Sequence, residues 1–308
     1  MEDDFVRKFI VSDLHGNGDI YDSIMAYLEN VQKNTNEDVI LYINGDLIDR
    51  GEDSARMLID IKTRIINHIG FKIEYLAGNH ELLMYDASLR RIGNTWNQNS
   101  DWFWENGGER TAYDLKNLVS LEEELEIIKF VSNLKIYHKF KECLNGKPII
   151  LVHAKCPKKV EDTCHLKVLD HNLEVEDLLW TRKEDPWTLR RAKVGHKDYF
   201  TIIGHTPVDT KTGYIYYKDD NCLNIDGGCA AYALDNLQYD HIPLVEIDDQ
   251  QDRLIILTFN HDNEIISGHY FSNGISIEIK EEELNEYRKY LNKEVKVKKI
   301  LFKNKNGE

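Results

Sequence analysis

The first third of the chain alternates short apolar runs with longer amphipathic stretches. Apolar runs at 8–12, 39–43 and 73–77 have the length of buried strands, and a polar turn follows each of them. Beyond the first two turns, apolar residues recur at helical spacing over 20–31 and 55–66, and the third turn leads into another helical pattern. Three strand–turn–helix units in succession predict an α/β domain with parallel strands.

The middle of the chain has a different pattern. Residues 86–134 are rich in aromatic and acidic residues with helical spacing, which predicts a helical cap inserted over the sheet. We interpret the aromatic residues of this segment as core between the cap and the sheet. Strand patterns return at 136–140 and 148–153, and several more short strands are predicted between 199 and 259.

The end of the chain predicts a small C-terminal appendage of α+β type. Its expected elements are strands at 265–271 and 275–280, an acidic helix at 281–292 and a final strand before a frayed tail. We therefore divide the chain into a catalytic domain, residues 1–259, and an appendage of unknown role, residues 260–308.

The charge and the cysteines restrict the classes of partner and location. The net charge is −15 over 308 residues, and an acidic protein repels nucleic acid and anionic membranes at long range, so we expect neither as a partner. Five cysteines form no C-x-x-C pair, and the N-terminal residues do not resemble a secretory signal. Reduced thiols in the cytoplasm are the simplest interpretation. The longest apolar runs are too short to cross a membrane.

Five short polar motifs stand directly after predicted strands. In an α/β sheet the carboxyl ends of the strands share one edge, so side chains in these turns can converge although they are far apart in sequence. The motifs are Asp13-Leu14-His15-Gly16, Gly45-Asp46-Leu47-Ile48-Asp49-Arg50-Gly51, Gly78-Asn79-His80-Glu81, His153-Ala154 and Gly204-His205-Thr206-Pro207.

The motifs supply six side chains that can bind metals. Mixed oxygen and imidazole donors suit Mn²⁺, Fe or Zn²⁺ and disfavour a pure oxygen cage for Ca²⁺ or Mg²⁺. Six ligands exceed the needs of one metal. Two metals ~3.5–4 Å apart that share a carboxylate fit better, and such pairs catalyse in-line displacement at phosphorus. The six residues are Asp13, His15, Asp46, Asn79, His153 and His205.

Each motif taken alone has an ordinary structural explanation. Asp13 could cap a helix, the charges around Asp46 could form a surface ion pair, and Asn79 could begin a helix. His153 could be a hydrogen-bonded core histidine, and the motif at 204–207 could be an ordinary turn. The conjunction of five motifs, each with a metal-competent group at a strand end, favours a catalytic metal centre over these separate explanations.

In this order the motifs resemble those of the phosphoprotein phosphatase branch of the calcineurin-like metallophosphoesterases. The resemblance is closest to the bacteriophage lambda-type and bacterial serine/threonine protein phosphatases, and it covers about residues 7–258. It implies a four-layer β-sandwich flanked by helices, with two mixed sheets and a βαβαβ metal-binding core. Three further segments contribute to it: Asn106-Gly107-Gly108, Leu179-Trp180-Thr181-Arg182 and Asn224-Ile225-Asp226-Gly227-Gly228-Cys229.

The resemblance also implies a dinuclear metal centre, with Mn²⁺ as the expected cation. A hydroxide that bridges the two metals would attack the phosphate of a phosphomonoester. The implied ligands are Asp13 and His15 for one metal, Asn79, His153 and His205 for the other, and Asp46 as the bridge between them.

Four more residues receive catalytic roles from the resemblance. Arg50 and Arg182 would bind phosphate oxygens, whose geometry a guanidinium matches bidentately. His80 would protonate the leaving alkoxide, and Asp49 would hold its imidazole in orientation and charge. The implied substrate is a protein or peptide phosphorylated on serine or threonine, with phosphotyrosine left open as a further substrate, and no oligomeric state is implied.

The chain departs from the family pattern at three places. His153 is followed by Ala154 and Lys155, where many relatives have a pair of glycines. The segment 155–178 is longer than in lambda-type enzymes, and we recognise no counterpart of residues 260–308. Lys155 and the segment 155–178 are therefore candidates for shaping specificity.

Two other functions remain open at this point. Symmetrical dinucleoside tetraphosphate hydrolases resemble this scaffold, but they usually carry Gln at the position of His15, which favours the protein phosphatase. A binding module that kept the fold without catalysis is disfavoured, because the metal ligands, both arginines, His80 and Asp49 are all present.

Overall fold

The computed structural model describes residues 6–160, 164–166, 173–184, 191–232 and 241–291. The first five elements are β1 (Val6–Val11), α1 (Gly18–Thr35), β2 (Asp38–Asn44), α2 (Ser54–Asn67) and β3 (Lys72–Leu76). β1 pairs with β2 and β2 with β3, both in parallel register. The predicted succession of parallel strands and helices is confirmed.

The segment predicted as a cap holds two helices and the C-terminal end of a third. α3 (Asn79–Leu89) continues directly from the turn after β3, and its C-terminal part enters the cap segment; α4 (Gly108–Leu118) and α5 (Leu121–Ser132) follow. α4 packs against α2, and α5 packs against α3. Among the cap aromatics, Trp96, Trp102 and Phe103 are buried as expected, whereas the side chain of Trp104 is 59% exposed.

The remaining elements are the strands that complete two sheets and three further helices. They are β4 (Tyr137–Leu144), β5 (Lys147–Val152), α6 (Leu173–Trp180), β6 (Phe200–Ile203), β7 (Ile215–Tyr217), β8 (Cys222–Asn224), α7 (Cys229–Tyr232), β9 (Ile242–Asp248), β10 (Arg253–Phe259), β11 (Ile265–Ser272), β12 (Ile275–Glu278) and α8 (Glu281–Arg288).

Both sheets contain parallel and antiparallel pairs. The seven-stranded sheet has the order β12-β11-β10-β9-β1-β2-β3, and the five-stranded sheet has the order β4-β5-β6-β8-β7. In the first, β9 to β12 are antiparallel to their neighbours. In the second, β5, β6 and β8 are parallel and the two edge strands are antiparallel.

The two sheets pack face to face, with helices on the outside. Ile10 and Tyr42 of the larger sheet share one buried cluster with Phe140 and Leu151 of the smaller sheet. The neighbours of Ile10 on β1, Phe9 and Val11, instead join the cluster that contains the helices. Because successive residues of a strand face opposite sides, this alternation shows that both faces of the larger sheet are buried. The predicted sandwich of two mixed sheets flanked by helices is confirmed.

The C-terminal strands continue the larger sheet. β11 and β12, which the sequence assigns to the appendage, hydrogen-bond in the same sheet as β1. The acidic helix is α8, which ends at Arg288. The expected final strand and tail lie outside the described residues, and the division of the chain at residue 260 stays a prediction. No described helix combines the length and the apolar character needed to cross a membrane.

Candidate metal centre

The five motifs meet at the carboxyl ends of strands from both sheets. Asp13 follows β1, Asp46 follows β2, and Asn79 follows β3 as the first residue of α3. His153 directly follows β5, and His205 stands two residues after β6. All five side chains are buried. The sequence places these residues up to 192 positions apart, and the parallel strands bring them to one edge.

The turns that carry the site have left-handed backbone at residues other than glycine. A positive φ is uncommon for such residues, and clusters of this kind occur where surrounding structure imposes the conformation. Backbone hydrogen bonds between the turns supply that constraint, since the N–H of His15 donates to the carbonyl of Asp46 at 2.9 Å. The residues concerned are Asp13 (φ 55°), His15 (φ 44°), Asp46 (φ 50°), Asp49 (φ 74°), Arg50 (φ 70°) and His205 (φ 68°).

Two groups of potential ligands share the carboxylate of Asp46. The first group is His15, Asp46 and His80, and the second is Asp46, His153 and His205. Oδ2 of Asp46 lies 3.5 Å from Nε2 of His15 and 3.4 Å from Nε2 of His153. This is the arrangement expected for a carboxylate that bridges two cations.

A backbone carbonyl fixes one ring nitrogen of each ligand histidine. Nδ1 of His15 lies 3.0 Å from the carbonyl of Ile48, and Nδ1 of His153 lies 2.9 Å from that of Asn44. In both rings Nε2 is therefore the nitrogen that faces the site and could bind a metal.

His205 is oriented the other way round. Its Nε2 lies 3.1 Å from the carbonyl of Trp180, so that Nδ1 faces the site. Nδ1 of His205 and Nε2 of His153 lie 2.8 and 2.9 Å from Oδ1 of Asn79. The inward-facing atoms of His153, His205 and Asn79 therefore converge.

Asp13 lies beside these groups. Its carboxylate accepts the backbone N–H of His205 at 3.0 Å and a hydrogen bond from Ser12. Burial and the nearby Asp226 raise the pKa of Asp13 well above its usual value. His80 stands in the first group where the sequence expects Asp13, so the assignment of Asp13 to a metal stays a prediction.

The electrostatics of the site suit cations. Burial, together with Arg50, holds the pKa of His15 well below its usual value, and burial, together with His153, does the same for His205. Neutral imidazole is the form that binds metals. Burial alone would lower the pKa of His153, but Asp46 and Asp13 raise it to about 10. The buried carboxylates thus attract positive charge, and the donor set fits a pair of divalent cations.

Glu81 supports the turn that presents Asp46. Its buried carboxylate accepts the backbone N–H groups of Asp46 at 2.8 Å, Leu47 at 3.1 Å and Gly78 at 2.7 Å, and the hydroxyl of Tyr75 at 2.6 Å. Glu81 belongs to the motif that begins at Gly78, but the sequence indicated no role for it. Its position three residues after Gly78, as in a capping box, was the available signal.

Asp226 is a second residue whose part the sequence did not reveal. It lies buried near the centre, and its carboxylate accepts the N–H of Gly228 at 2.9 Å. Burial, with a contribution from Asp46, raises its pKa to about 6. It adds negative charge beside Asp13, which again favours a bound cation.

His80 forms a buried pair with Asp49. Nδ1 of His80 lies 2.8 Å from Oδ2 of Asp49, as the sequence analysis proposed for these two residues. Two residues of the cap also donate to this carboxylate: Nε1 of Trp102 to Oδ2 at 2.8 Å, and Oγ1 of Thr111 to Oδ1 at 2.6 Å. A Cβ on Gly108 would lie 2.3 Å from the Trp102 ring, which explains the glycine at this position.

Both arginines are at the site. Nη1 of Arg50 lies 3.4 Å from Nε2 of His15, and Nη1 of Arg182 donates to the carbonyl of His205 at 3.1 Å. The neighbouring Lys183 forms a 2.6 Å ion pair with the buried Asp220, which anchors the loop that carries Arg182. Lys155 is paired with Asp177 at 2.7 Å, so its charge is already matched.

Comparisons with known proteins agree with this geometry. The profile of the calcineurin-like phosphoesterases matches residues 7–270. Serine/threonine-protein phosphatase 2 of Salmonella typhimurium is 25% identical over 235 residues, which cover 75% of this chain and 90% of that protein.

Solved structures show the same fold at low identity. A cold-active protein tyrosine phosphatase has a TM-score of 0.55 at 14% identity, and the match covers 90% of this chain and 83% of the other. The cold-active protein-tyrosine phosphatase of the psychrophile Shewanella sp. has a TM-score of 0.52 at 13% identity, with 91% and 83% covered. The chain belongs to the calcineurin-like phosphoesterase family and is a metal-dependent hydrolase of phosphoric esters.

Proposed function

We propose that this protein is a phosphomonoesterase of the serine/threonine protein phosphatase type, which acts on a phosphorylated protein or peptide. The observation that carries the proposal is the buried His80–Asp49 pair, 2.8 Å across, beside the ligand groups that share Asp46. Such a pair supplies a positioned proton donor for the leaving group of an ester.

The six residues Asp13, His15, Asp46, Asn79, His153 and His205 would hold two divalent cations, for which we propose Mn²⁺, with Fe or Zn²⁺ as alternatives. Asp46 would bridge the cations, with Asp13 and His15 on one side and Asn79, His153 and His205 on the other. When bound, the cations would supply an activated water as the nucleophile and would offset charge on the phosphate.

The side chains around these groups provide the remaining chemistry. Arg50 and Arg182 lie beside His15 and His205, where their guanidinium groups can bind two phosphate oxygens. Nδ1 of His80 faces Asp49, which leaves Nε2 directed to the site, 3.9 Å from Oδ2 of Asp46. His80 would donate its Nε2 proton to the departing alkoxide, while Asp49 stabilises the imidazolium before transfer.

Two features support a phosphoprotein substrate. Paired guanidinium groups favour the dianion of a monoester over a singly charged diester. The similar Salmonella protein is named a serine/threonine-protein phosphatase. The similar solved structures are named tyrosine phosphatases, so phosphotyrosine belongs in the substrate panel. None of the five cysteines forms a disulfide, which supports the proposed cytoplasmic location.

The experiment is a comparison of kcat/KM at equal Mn²⁺ and ionic strength. A phosphothreonine peptide, a phosphotyrosine peptide of the same sequence and diadenosine tetraphosphate are the three substrates. We expect the phosphothreonine peptide to be hydrolysed fastest. A tenfold or larger preference for diadenosine tetraphosphate would replace the proposal with hydrolysis of dinucleoside polyphosphates.

A further inference from the structure

The cap contains a cavity of about 310 Å³ that the chemistry of the metal centre does not use. We call it the cap cavity; among its lining residues are Trp96, Phe103, Ala112, Tyr113, Leu121 and Lys116. Trp96, Phe103 and Ala112 are buried, whereas Tyr113 and Leu121 are 45% and 40% exposed. Its size is at the lower end of small-molecule sites, ~300–1,000 Å³, and aromatic side chains form much of its wall.

The charges at the cap cavity favour an anion. Among the described residues, no ion-pair partner is found for Lys116. The other charged lining residue is Glu124, which is already occupied: Trp96 Nε1 donates to it at 2.6 Å, and Arg91 donates to it at 3.2 Å. Among the described lining residues, Lys116 is thus the charged side chain without an ion-pair partner. A planar aromatic group would pack against Trp96, Phe103 and Tyr113 while an attached anionic group reaches the ammonium.

The wall of the cap cavity is in contact with the residues that hold Asp49. The rings of Trp96 and Trp102 are 4.7 Å apart between centroids, and Trp102 donates to Asp49. Ala112 of the wall follows Thr111, which is the other cap donor to the same carboxylate. A chain of contacts thus runs from Trp96 in the cavity wall through Trp102 and Asp49 to the imidazole of His80.

We propose that the cap cavity is a regulatory site for a small planar aromatic anion, and that its occupation changes the positioning of His80 through Trp102 and Asp49. The regulatory part rests on the proposed function of His80 as proton donor. Binding does not, because the cavity and Lys116 lie outside the metal centre.

The binding experiment uses NMR spectra of the full-length protein labelled with ¹⁵N. Indole-3-acetate is the probe, and indole-3-acetamide is its uncharged analogue. We expect saturable shifts of the indole N–H signals of Trp96 and Trp102, assigned with Trp→Phe variants. The acid should bind about two- to fivefold more tightly than the amide, as for one exposed ion pair. Lys116→Met should abolish that difference, whereas Lys129→Met, an exposed lysine on α5, should retain it.

Ala112→Leu, which fills the cavity, should abolish binding of both probes, and its melting temperature reports whether it still folds. Absence of saturable binding in the wild type, or binding that Lys116→Met and Ala112→Leu both leave unchanged, overturns the site. Since these are measurements of binding alone, they are independent of the proposed function.

The catalytic experiment measures kcat for an alkyl and an aryl phosphate with and without saturating indole-3-acetate. We expect a change for the alkyl ester that is at least threefold larger than for the aryl ester, because only a poor leaving group depends on His80. If indole-3-acetate binds saturably but changes kcat equally for both esters, or changes neither, the regulatory role is overturned. If neither His80→Asn nor the ligand alters the alkyl-to-aryl ratio, the proposed role of His80 fails instead.

Discussion

The strand-end turns and the helical cap both contribute to the proposed catalytic centre, but the turns hold their residues close together in the sequence, whereas the cap residues are distant from those they contact. In the turns, Asp46, Asp49 and Arg50 lie within five positions of each other on left-handed backbone. In the cap, Trp102 and Thr111 act on Asp49 from 53 and 62 positions away, and neither belongs to a motif. The turns place the reactive groups, and the cap holds one of them in orientation.

This difference has a physical basis. The turns are constrained by hydrogen bonds between neighbouring strands and by Glu81, so their geometry is part of the sheet. The cap is joined to the site by two side-chain hydrogen bonds to Asp49, by the backbone hydrogen bond from the N–H of Arg50 to the carbonyl of Gly107, and by packing of Trp102. Substitutions in the turns should therefore abolish catalysis, whereas substitutions in the cap should tune it.

The largest effect is expected for Asp46→Asn. Its carboxylate is shared by both ligand groups, so the amide should weaken the binding of both cations. Loss of a residue that only hydrogen-bonds to a metal ligand costs ~10–100-fold, and we expect kcat/KM of Asp46→Asn to fall by more than that. Elemental analysis should give nearly two metals per chain for the wild type and well below one for the variant. Asp60→Asn, a buried carboxylate paired with Arg64, is the control and should retain both metals. Full activity of the metal-free wild type would rule out the dinuclear mechanism.

His80→Asn should lower kcat without loss of the two metals. The expected loss on an alkyl phosphate is ~10²–10⁴-fold, the range for a general acid, and it should shrink for a nitrophenyl ester. His138→Asn, a histidine packed against Tyr42 and Phe140, serves as the control and should leave both rates unchanged. Equal losses on the two esters would contradict the role as proton donor.

Trp102→Phe tests whether the hydrogen bond from the cap to Asp49 contributes to catalysis. Phenylalanine keeps an aromatic ring but removes the N–H that donates to Asp49, so we expect kcat on an alkyl phosphate to fall by roughly tenfold, with a smaller loss on the aryl ester. Trp104→Phe, at a neighbouring ring that is 59% exposed, should have no such effect. A loss of the same size on both esters would show that Trp102 acts through general stability.

The difference between the turns and the cap also explains which features the sequence could predict. The βαβαβ unit followed from the change between strand and helix periodicity, which is local. The site residues followed from motifs of two to seven residues, because the turn that presents a ligand also fixes its sequence neighbours. For Asp13 the motif predicts the position at the site but not the hydrogen-bond partner. Its carboxylate accepts the N–H of His205, a contact across 192 positions.

The features that the sequence did not reveal depend on contacts between distant segments. Trp102 was expected to be core, and it is buried, yet its N–H has a specific acceptor in Asp49. Burial can be predicted from aromatic composition, but the partner of a buried polar atom cannot. β11 and β12 likewise pair with the larger sheet through registers that no local pattern specifies.

The smallest effect is expected for Ser120→Ala, which separates the stability of the cap from its action on Asp49. Ser120 caps α5: its hydroxyl accepts the N–H of Glu123 at 3.2 Å, and the carboxylate of Glu123 accepts the N–H of Ser120 at 2.7 Å. Loss of such a cap costs about 1 kcal/mol, so the free energy of unfolding should fall by that amount.

Because α5 does not supply either donor to Asp49, kcat of Ser120→Ala should stay within about twofold of the wild type. Urea denaturation and the alkyl phosphate assay give the two measurements, and about 1 kcal/mol is resolvable in a midpoint shift. The control is Ser132→Ala in the last turn of the same helix, where the hydroxyl donates to the carbonyl of Lys129 and accepts only a long 3.5 Å hydrogen bond from the side-chain amide of Asn133. Its stability should change by less, since alanine favours helix. If Ser120→Ala lowers kcat as much as Trp102→Phe does, the cap controls catalysis through its overall stability, and the two hydrogen bonds to Asp49 are not its means of action.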